Sequence, residues 1–264
     1  FDGHSQPVSG FMRRALVHRE LLRLNIGIFA LHFALTAAFV ALPLLLRDLL
    51  GLDVAQHAWV YLLAMGGGFV CMVPLMIFAE RNAKVRPVFL LAVAALAVAS
   101  MMIALAERHG SVLLLIGLFV FFTAFNLLEA NLPSLVSKWA FPAGRGTAMG
   151  VYSTFQFMGA FIGGCAGGWL LGLFGASGVF VLVASVALVW LWVGWSMRPP
   201  RAGQDLVLVY DANRFTADDL GVELRRLRGV LDVTLIAGEC LAYIRVDNAA
   251  FNEASLSSYG VMKT

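Results

Sequence analysis

Residues 24–46 read LNIGIFALHFALTAAFVALPLLL, an apolar run in which His32 is the one titratable side chain. About 20 such residues in a helix cross the hydrocarbon layer of a bilayer, whereas the surface helix of a water-soluble domain needs a broad polar face. No such face exists here. Asn25, His32 and Thr36 fall at i, i+7 and i+11, which gives only a thin polar stripe on one side. Five further runs share this character, at residues 59–79, 87–106, 111–136, 146–173 and 177–197. The expected fold is therefore an all-α polytopic membrane bundle of six transmembrane helices.

Composition agrees. The 264 residues are 60% hydrophobic and 13% charged, and the mean hydropathy is +0.83, which excludes a water-soluble fold. The net charge of +3 resides mostly in loop arginines beside the apolar runs, so nucleic acid is not an expected partner. Three cysteines, Cys71, Cys165 and Cys240, form neither a disulfide framework nor a C-x-x-C clip and read as packing residues. No cofactor or metal is expected. The leading segment 1–23 is polar and basic, without the apolar core and small-residue cleavage site of a signal peptide. It begins with Phe1, so the expectation is that an N-terminal portion precedes it.

The loop cations sort by side. Arg13, Arg14, Arg19, Arg23, Arg81, Lys84, Arg86, Lys138, Arg145, Arg198 and Arg201 fall on one side, and Arg47 and Arg108 on the other. By the positive-inside rule both ends of the chain are expected in the cytoplasm. After Pro199 and Pro200 the pattern changes, and a short linker (198–203) leads to an expected cytoplasmic domain over 204–264. Residues 206–210 read as a strand. Thr216-Ala217-Asp218-Asp219 reads as a helix start, with Leu220, Leu224 and Leu227 on its apolar face and Gly229 as its stop. Strands at 230–236 and 240–246, joined by Ala237-Gly238-Glu239, and a weak helix near 250–259 complete a βαββα order, suggesting a small α+β ferredoxin-like sandwich. Val261 and Met262 are too little to predict a closing fourth strand.

Ionisable groups at bilayer depth are costly and therefore candidates for function. His32 lies about nine residues from the basic end of the first run and Glu129 about nine from the basic end of the fourth, each ~13 Å deep. They can meet at one level. Asn126 shares a helix face with Glu129, as Asn25 and Thr36 do with His32. A proton binding to such a pair would change charge and hydrogen bonding between two helices, as a proton-driven cycle requires. Tyr152 and Gln156, four apart in the fifth run, either face a cavity and contact substrate or bond between helices. That run also carries two small-residue ladders, Gly159, Gly163 and Gly167 on one and Ala160, Gly164, Gly168 and Gly172 on the next. Gly66, Gly67 and Gly68 in the second run read likewise as packing positions. Pro43 and Pro133 predict kinks.

Six spans with titratable groups only in the first and fourth fit two three-helix repeats, an arrangement typical of secondary transporters. Residues 128–137, LEANLPSLVS, continue through 145–156, RGTAMGVYSTFQ, and with the tail from Leu206 to Asp247 they resemble the major facilitator superfamily. The chain resembles its C-terminal half, helices seven to twelve, most closely in the YajR-like members that carry a C-terminal ferredoxin-like domain. The resemblance implies that segment 1–23 links two transporter halves, that residues 24–197 form one half, and that an N-terminal six-helix half is its partner. It implies cavity positions for His32 and Glu129; Asn25, Thr36, Asn126, Tyr152 and Gln156, singled out by their spacing, are expected around a small-molecule substrate. Glu80-Arg81-Asn82-Ala83-Lys84 is similar to the superfamily's loop signature, which latches the halves by charge pairing. The match is degenerate: Ala83 stands where glycine is usual and Glu80 where aspartate is usual. Arg81, Lys84 and Arg86 serve equally as topology-setting charges.

Other architectures fit less well. A cation diffusion facilitator, which functions as a six-helix homodimer, also has a ferredoxin-like tail. Metal transport needs clustered His and Asp ligands, commonly four apart on a helix, but Thr36 follows His32 and the runs hold no aspartate. The first loop of the tail, Asp211-Ala212-Asn213-Arg214, has no thiol pair. An intramembrane serine protease would use Gly175-Ala176-Ser177-Gly178, yet no histidine follows to act as base, so an enzyme is not expected. Asn131-Leu132-Pro133-Ser134 is not a paired aquaporin motif. A membrane-anchored sensor or scaffold gives no reason for Glu129. The expectation is half of a proton-coupled, alternating-access carrier in a bacterial inner membrane, moving or exporting an amphipathic organic solute. Its cytoplasmic domain would bind a protein or regulatory ligand.

Overall fold

The structure is a computed structural model that describes residues 9–140, 144–197, 203–211, 214–236, 240–247, 250–256 and 258–263. Expectations for Arg198, Arg201, most of the linker 198–203, Ala212, Asn213 and the Ala237-Gly238-Glu239 connection fall outside those residues. The chain divides into two compact units, Phe1–Trp139 with Thr147–Pro199, and Ala140–Gly146 with Pro200–Thr264.

The first unit is helical, with α1 at Ser9–Val17, α2 at Arg19–Leu50, α3 at Val54–Arg81, α4 at Val85–His109, α5 at Ser111–Trp139 and α6 at Arg145–Trp195. The helices outrun the apolar windows because their ends need only water or caps, not lipid. Gly51, at φ 65°, ends α2 and sends its N–H to the Arg47 carbonyl, a left-handed cap that glycine adopts without a Cβ penalty. Gly110, at φ 93°, separates α4 from α5 in a single residue. Pro43 and Pro133 lie inside helices that continue past them.

Six spans are expected and, among the described residues, five long apolar helices are present, the fifth being 51 residues long. At about 1.5 Å per residue it would measure roughly 77 Å, more than twice the ~30 Å hydrocarbon layer. Gly175, with φ 67° and ψ −170°, breaks it into two arms. Neighbours show that the arms run in opposite directions. Gly159, Gly163 and Gly167 climb along Phe29, Phe33 and Ala37 of α2. After the break, Ser177 donates to the Ala104 carbonyl near the end of α4, and the chain returns to pack Trp190 on Gly27 and Gly194 on Leu90 near the starts of α2 and α4. The described residues thus make six passes.

Packing is built on small residues. A Cβ at Gly159 or Gly163 would run into the carbonyl of Phe29 or Phe33, and one at Gly167 would lie 2.9 Å from Ala37 Cα. The second ladder differs, since Gly164, Gly168 and Gly172 have open space where a Cβ would go. Gly68 of α3 meets the α5 backbone at Thr123 and Phe122, and Gly117 of α5 meets Ala99 and Ile103 of α4. The expectation that Cys71 and Cys165 are packed inside is corrected, because both are exposed on the bundle surface. Large apolar side chains of α3 and the first arm of α6, including Leu63, Phe69, Val70, Phe157, Phe161 and Trp169, also point outward.

The second unit contains β1 (Gln204–Tyr210), α7 (Ala217–Arg226), β2 (Val230–Ile236), β3 (Leu241–Val246) and β4 (Gly260–Lys263) in one antiparallel sheet of order β2-β3-β1-β4. Thr216 caps α7 by accepting from the Asp219 N–H, and Leu220 and Leu224 are fully buried beneath it. Two expectations change. A fourth strand exists, paired with β1 from Val207↔Lys263 to Tyr210↔Gly260. The weak helix at 250–259 is only a 3₁₀ turn, Glu253–Leu256. Strand pairing supplies backbone bonds that four residues could not signal by periodicity, and Leu256, fully buried, anchors the turn in the core. The sheet order is consistent with a ferredoxin-like domain. The same unit includes Ala140, whose carbonyl accepts from Arg245 of β3 at 2.9 Å.

Two substitutions test this packing. Gly159→Ala should destabilise the bundle by about 1–3 kcal/mol, through forced overpacking, while Gly168→Ala stays within about 0.5 kcal/mol. Ala83, between α3 and α4, has φ 52°. Because left-handed backbone costs a non-glycine residue about 1–2 kcal/mol, Ala83→Gly should raise stability by about 1 kcal/mol. Thermal unfolding in detergent reads all three.

Candidate functional site

Each polar side chain within the apolar helices must find a partner or remain unpaired in a medium that offers none. Several are satisfied locally. Ser100 and Asn131 donate to carbonyls one turn back, Leu96 at 2.7 Å and Leu127 at 2.7 Å. Two others join helices. Thr36 bonds the His32 carbonyl at 2.9 Å and reaches across to the Ala160 carbonyl of α6 at 2.8 Å. Asn126 of α5 donates to the Met65 carbonyl of α3 at 3.0 Å, beside the Gly66–Gly68 stretch. These bonds place Thr36 and Asn126 in helix contacts.

Three further polar groups converge. His32 on α2, Glu129 on α5 and Gln156 on the first arm of α6 meet, with His32 Nδ1 3.8 Å from Glu129 Oε2 and His32 Nε2 2.8 Å from Gln156 Nε2. Phe125, one turn before Glu129, sets its ring edge-on to the imidazole, 6.1 Å between centroids. Three helices thus touch one ring. The His32 side chain is 14% exposed and that of Glu129 37%, so the carboxylate lies at the more open edge. Tyr152, one turn before Gln156, is buried beside Glu129. Among the described residues, His32 Nδ1, Glu129 Oε2 and the Tyr152 hydroxyl are buried without a hydrogen-bond partner. Asn25 is also buried, with Oδ1 unpaired. It lies two turns from His32, about 10 Å along the helix, and is not part of this cluster.

A histidine and a carboxylate thus meet between two helices, with a third bonded to the ring, and the sequence comparisons bear on the bundle that holds them. The Major Facilitator Superfamily matches over residues 24–232. The chain belongs to this superfamily. It is 42% identical over 249 residues to the "Inner membrane transport protein YajR" of Escherichia coli (strain K12), across 94% of this chain and 54% of that protein. An "Uncharacterized transporter" of Buchnera aphidicola subsp. Baizongia pistaciae (strain Bp) is 28% identical over 183 residues, across 69% of this chain and 46% of its own. The chain spans about half the length of the curated relatives it matches. It is an integral, multi-pass membrane protein of a transporter superfamily.

The segment that reads as similar to the superfamily's loop signature lies at the α3–α4 turn. Glu80, Arg81 and Lys84 are all exposed there. Asn82 caps α3 by donating to the Phe78 carbonyl at 2.8 Å, and Lys84 lies over the Phe78 ring at 5.5 Å. Ala83 has φ 52° there, a conformation that glycine adopts without strain.

Two arginines that read as topology charges have further roles. Arg23 Nη1 bonds Glu20 at 2.5 Å and the Ser196 carbonyl at 3.0 Å, while Nη2 bonds the Ser196 hydroxyl at 2.8 Å. Arg86 reaches the Trp195 carbonyl at 2.5 Å. A cavity of ≈ 600 Å³ near Arg23 is lined by His18, Arg19, Glu20, Trp139 and Ser196 among others. Nothing periodic in the sequence marks it, because its walls come from three separate segments.

Since the Tyr152 hydroxyl has no partner, Tyr152→Phe should leave thermal stability unchanged or raise it by up to about 1 kcal/mol. A fall in unfolding temperature would reveal a partner for the hydroxyl within the folded protein.

Proposed function

We propose that this chain forms the C-terminal half of a proton-coupled secondary transporter that moves a small organic solute by alternating access. The carrying observation is the 3.8 Å approach of His32 to Glu129 across α2 and α5, with the facing atoms of both otherwise unpaired. Such a pair gains or loses a charge with each proton, and in a low-dielectric interior this changes how strongly the two helices hold together. The partner half would be another six-helix bundle, supplied by the portion of the relatives that this chain does not span. The outward apolar faces of α3 and α6 suit contact with it and with lipid.

The solute would be amphipathic, because the polar groups near the site are few and rings and aliphatic chains dominate. Export, as from a drug efflux carrier, is the direction we favour. Tyr152 and Glu129 would contact the solute. The arginine-rich helix ends favour both ends of the chain being cytoplasmic, and the name of the Escherichia coli relative supports a bacterial inner membrane. The sheet domain, ferredoxin-like in its strand order, would bind a protein or regulatory ligand, and Arg81 and Lys84 would pair with acidic groups of the other half.

Reconstitution into liposomes with an imposed pH gradient tests the reading, following proton flux against a panel of amphipathic solutes. His32→Ala and Glu129→Gln should each cut gradient-driven flux by about tenfold or more, the loss that ~1.4 kcal/mol on the coupling step produces. Full flux in both variants would sink the proposal.

A further inference from the structure

Gln156 meets His32 through an atom that can only donate. Its amide Nε2 is 2.8 Å from the imidazole Nε2, and an amide nitrogen offers two N–H groups and no acceptor. With the amide turned this way His32 Nε2 is the acceptor, which leaves the single proton of the neutral ring to Nδ1. Nδ1 is the atom 3.8 Å from Glu129 Oε2. Three elements surround the ring. From α5 come Glu129 and the edge of Phe125; from α6 come Gln156 and, beside Glu129, Tyr152; from α2 itself comes the Ile28 carbonyl one turn back. Glu129 and Tyr152 are the titratable groups that face the pair.

We propose that Gln156 is a positioning residue that holds His32 as the Nδ1–H tautomer, aims that N–H at Glu129, and lets Nε2 take a proton only when its amide turns over. The proton count is explicit. While the amide presents its N–H to the ring, an arriving proton adds to the Glu129 carboxylate, and the ring stays neutral. A proton added to Nε2 sets N–H against N–H, so either Gln156 rotates to offer Oε1 or the α2–α6 bond opens. The charge state of α2 is thus sensed on α6 by an uncharged side chain. Gly159, three residues on, presses α6 against the Phe29 carbonyl of α2, so the Gln156 amide has its backbone held while its side chain turns.

The inference rests on His32 and Glu129 as the coupling pair, but the tautomer is measurable without transport. Histidine labelled with ¹⁵N in the ring, in the purified protein in detergent, reports which nitrogen carries the proton, and a His32→Asn sample identifies the His32 signals. Wild type should show neutral His32 protonated at Nδ1 by about tenfold over Nε2, the ratio set by a hydrogen bond worth ~1.4 kcal/mol. Gln156→Glu, in its ionised form, replaces a donor with acceptors only, so the proton should move to Nε2. Gln156→Met should leave both tautomers populated. A wild-type ring protonated at Nε2, or a tautomer unchanged by substitution, overturns the proposal. If Gln156→Glu fails to fold, wild type against Gln156→Met decides. Loss of the coupling reading in the flux assay leaves the tautomer result standing, so the two failures are distinct.

Discussion

Apolar side chains gain nothing by leaving lipid for the interior of a helix bundle, so helices there stay together only by approaching closely and by exchanging hydrogen bonds. The α2–α6 contact meets both conditions. Gly159, Gly163 and Gly167 bring the α6 backbone against Phe29, Phe33 and Ala37, and across the same seam Thr36 donates to α6 while His32 meets the Gln156 amide. The site follows from this seam, because Gln156 sits one turn before the first glycine of the ladder. Its amide reaches the His32 ring because that ladder brings the helices together.

Polar groups divide by how they are used. Ser100, Asn131 and Thr36 return bonds to carbonyls of their own or a neighbouring helix and lock geometry. His32 Nδ1, Glu129 Oε2 and the Tyr152 hydroxyl remain buried and unpaired. An unpaired buried polar atom costs about 1–3 kcal/mol, so three gathered at one level are an expense that packing alone does not explain. A proton or a solute donor arriving there relieves the cost, which is how a binding event acquires differential energy between conformations.

Much of this was legible from the chain alone. Hydropathy gives the spans because only helices and closed barrels satisfy the backbone in lipid, and runs of about 20 apolar residues suit the helix; counting residues from the basic ends puts His32 and Glu129 at one depth. Periodicity finds both glycine ladders in the fifth span but does not distinguish them. Only the structure shows that the Gly159 ladder meets α2 while Gly164, Gly168 and Gly172 face open space. Side-chain pattern is equally silent on β4, whose four residues are fixed by pairing with β1 and not by their own propensity. The Gly175 break was legible only as a gap between two apolar runs, and its left-handed φ gives that gap a mechanism. The partnership of Gln156 with His32, 124 residues apart, has no local signal at all.

The end of α6 shows how a charge that sets topology also serves structure. The last turn of any helix leaves carbonyls without intrahelical donors, and here Pro199 and Pro200 follow within a few residues, where proline has no N–H to offer. Donors therefore come from elsewhere in the bundle: Arg86 of α4 takes the Trp195 carbonyl and Arg23 of α2 takes that of Ser196. Guanidinium at a helix carboxyl end also meets the negative end of the helix dipole. The final span is consequently fastened at both levels to α2, by arginine at its end and by Trp190 against Gly27 one turn higher. Rearrangement of α2 on a change of charge at His32 would have to carry this end of α6 with it or break those bonds.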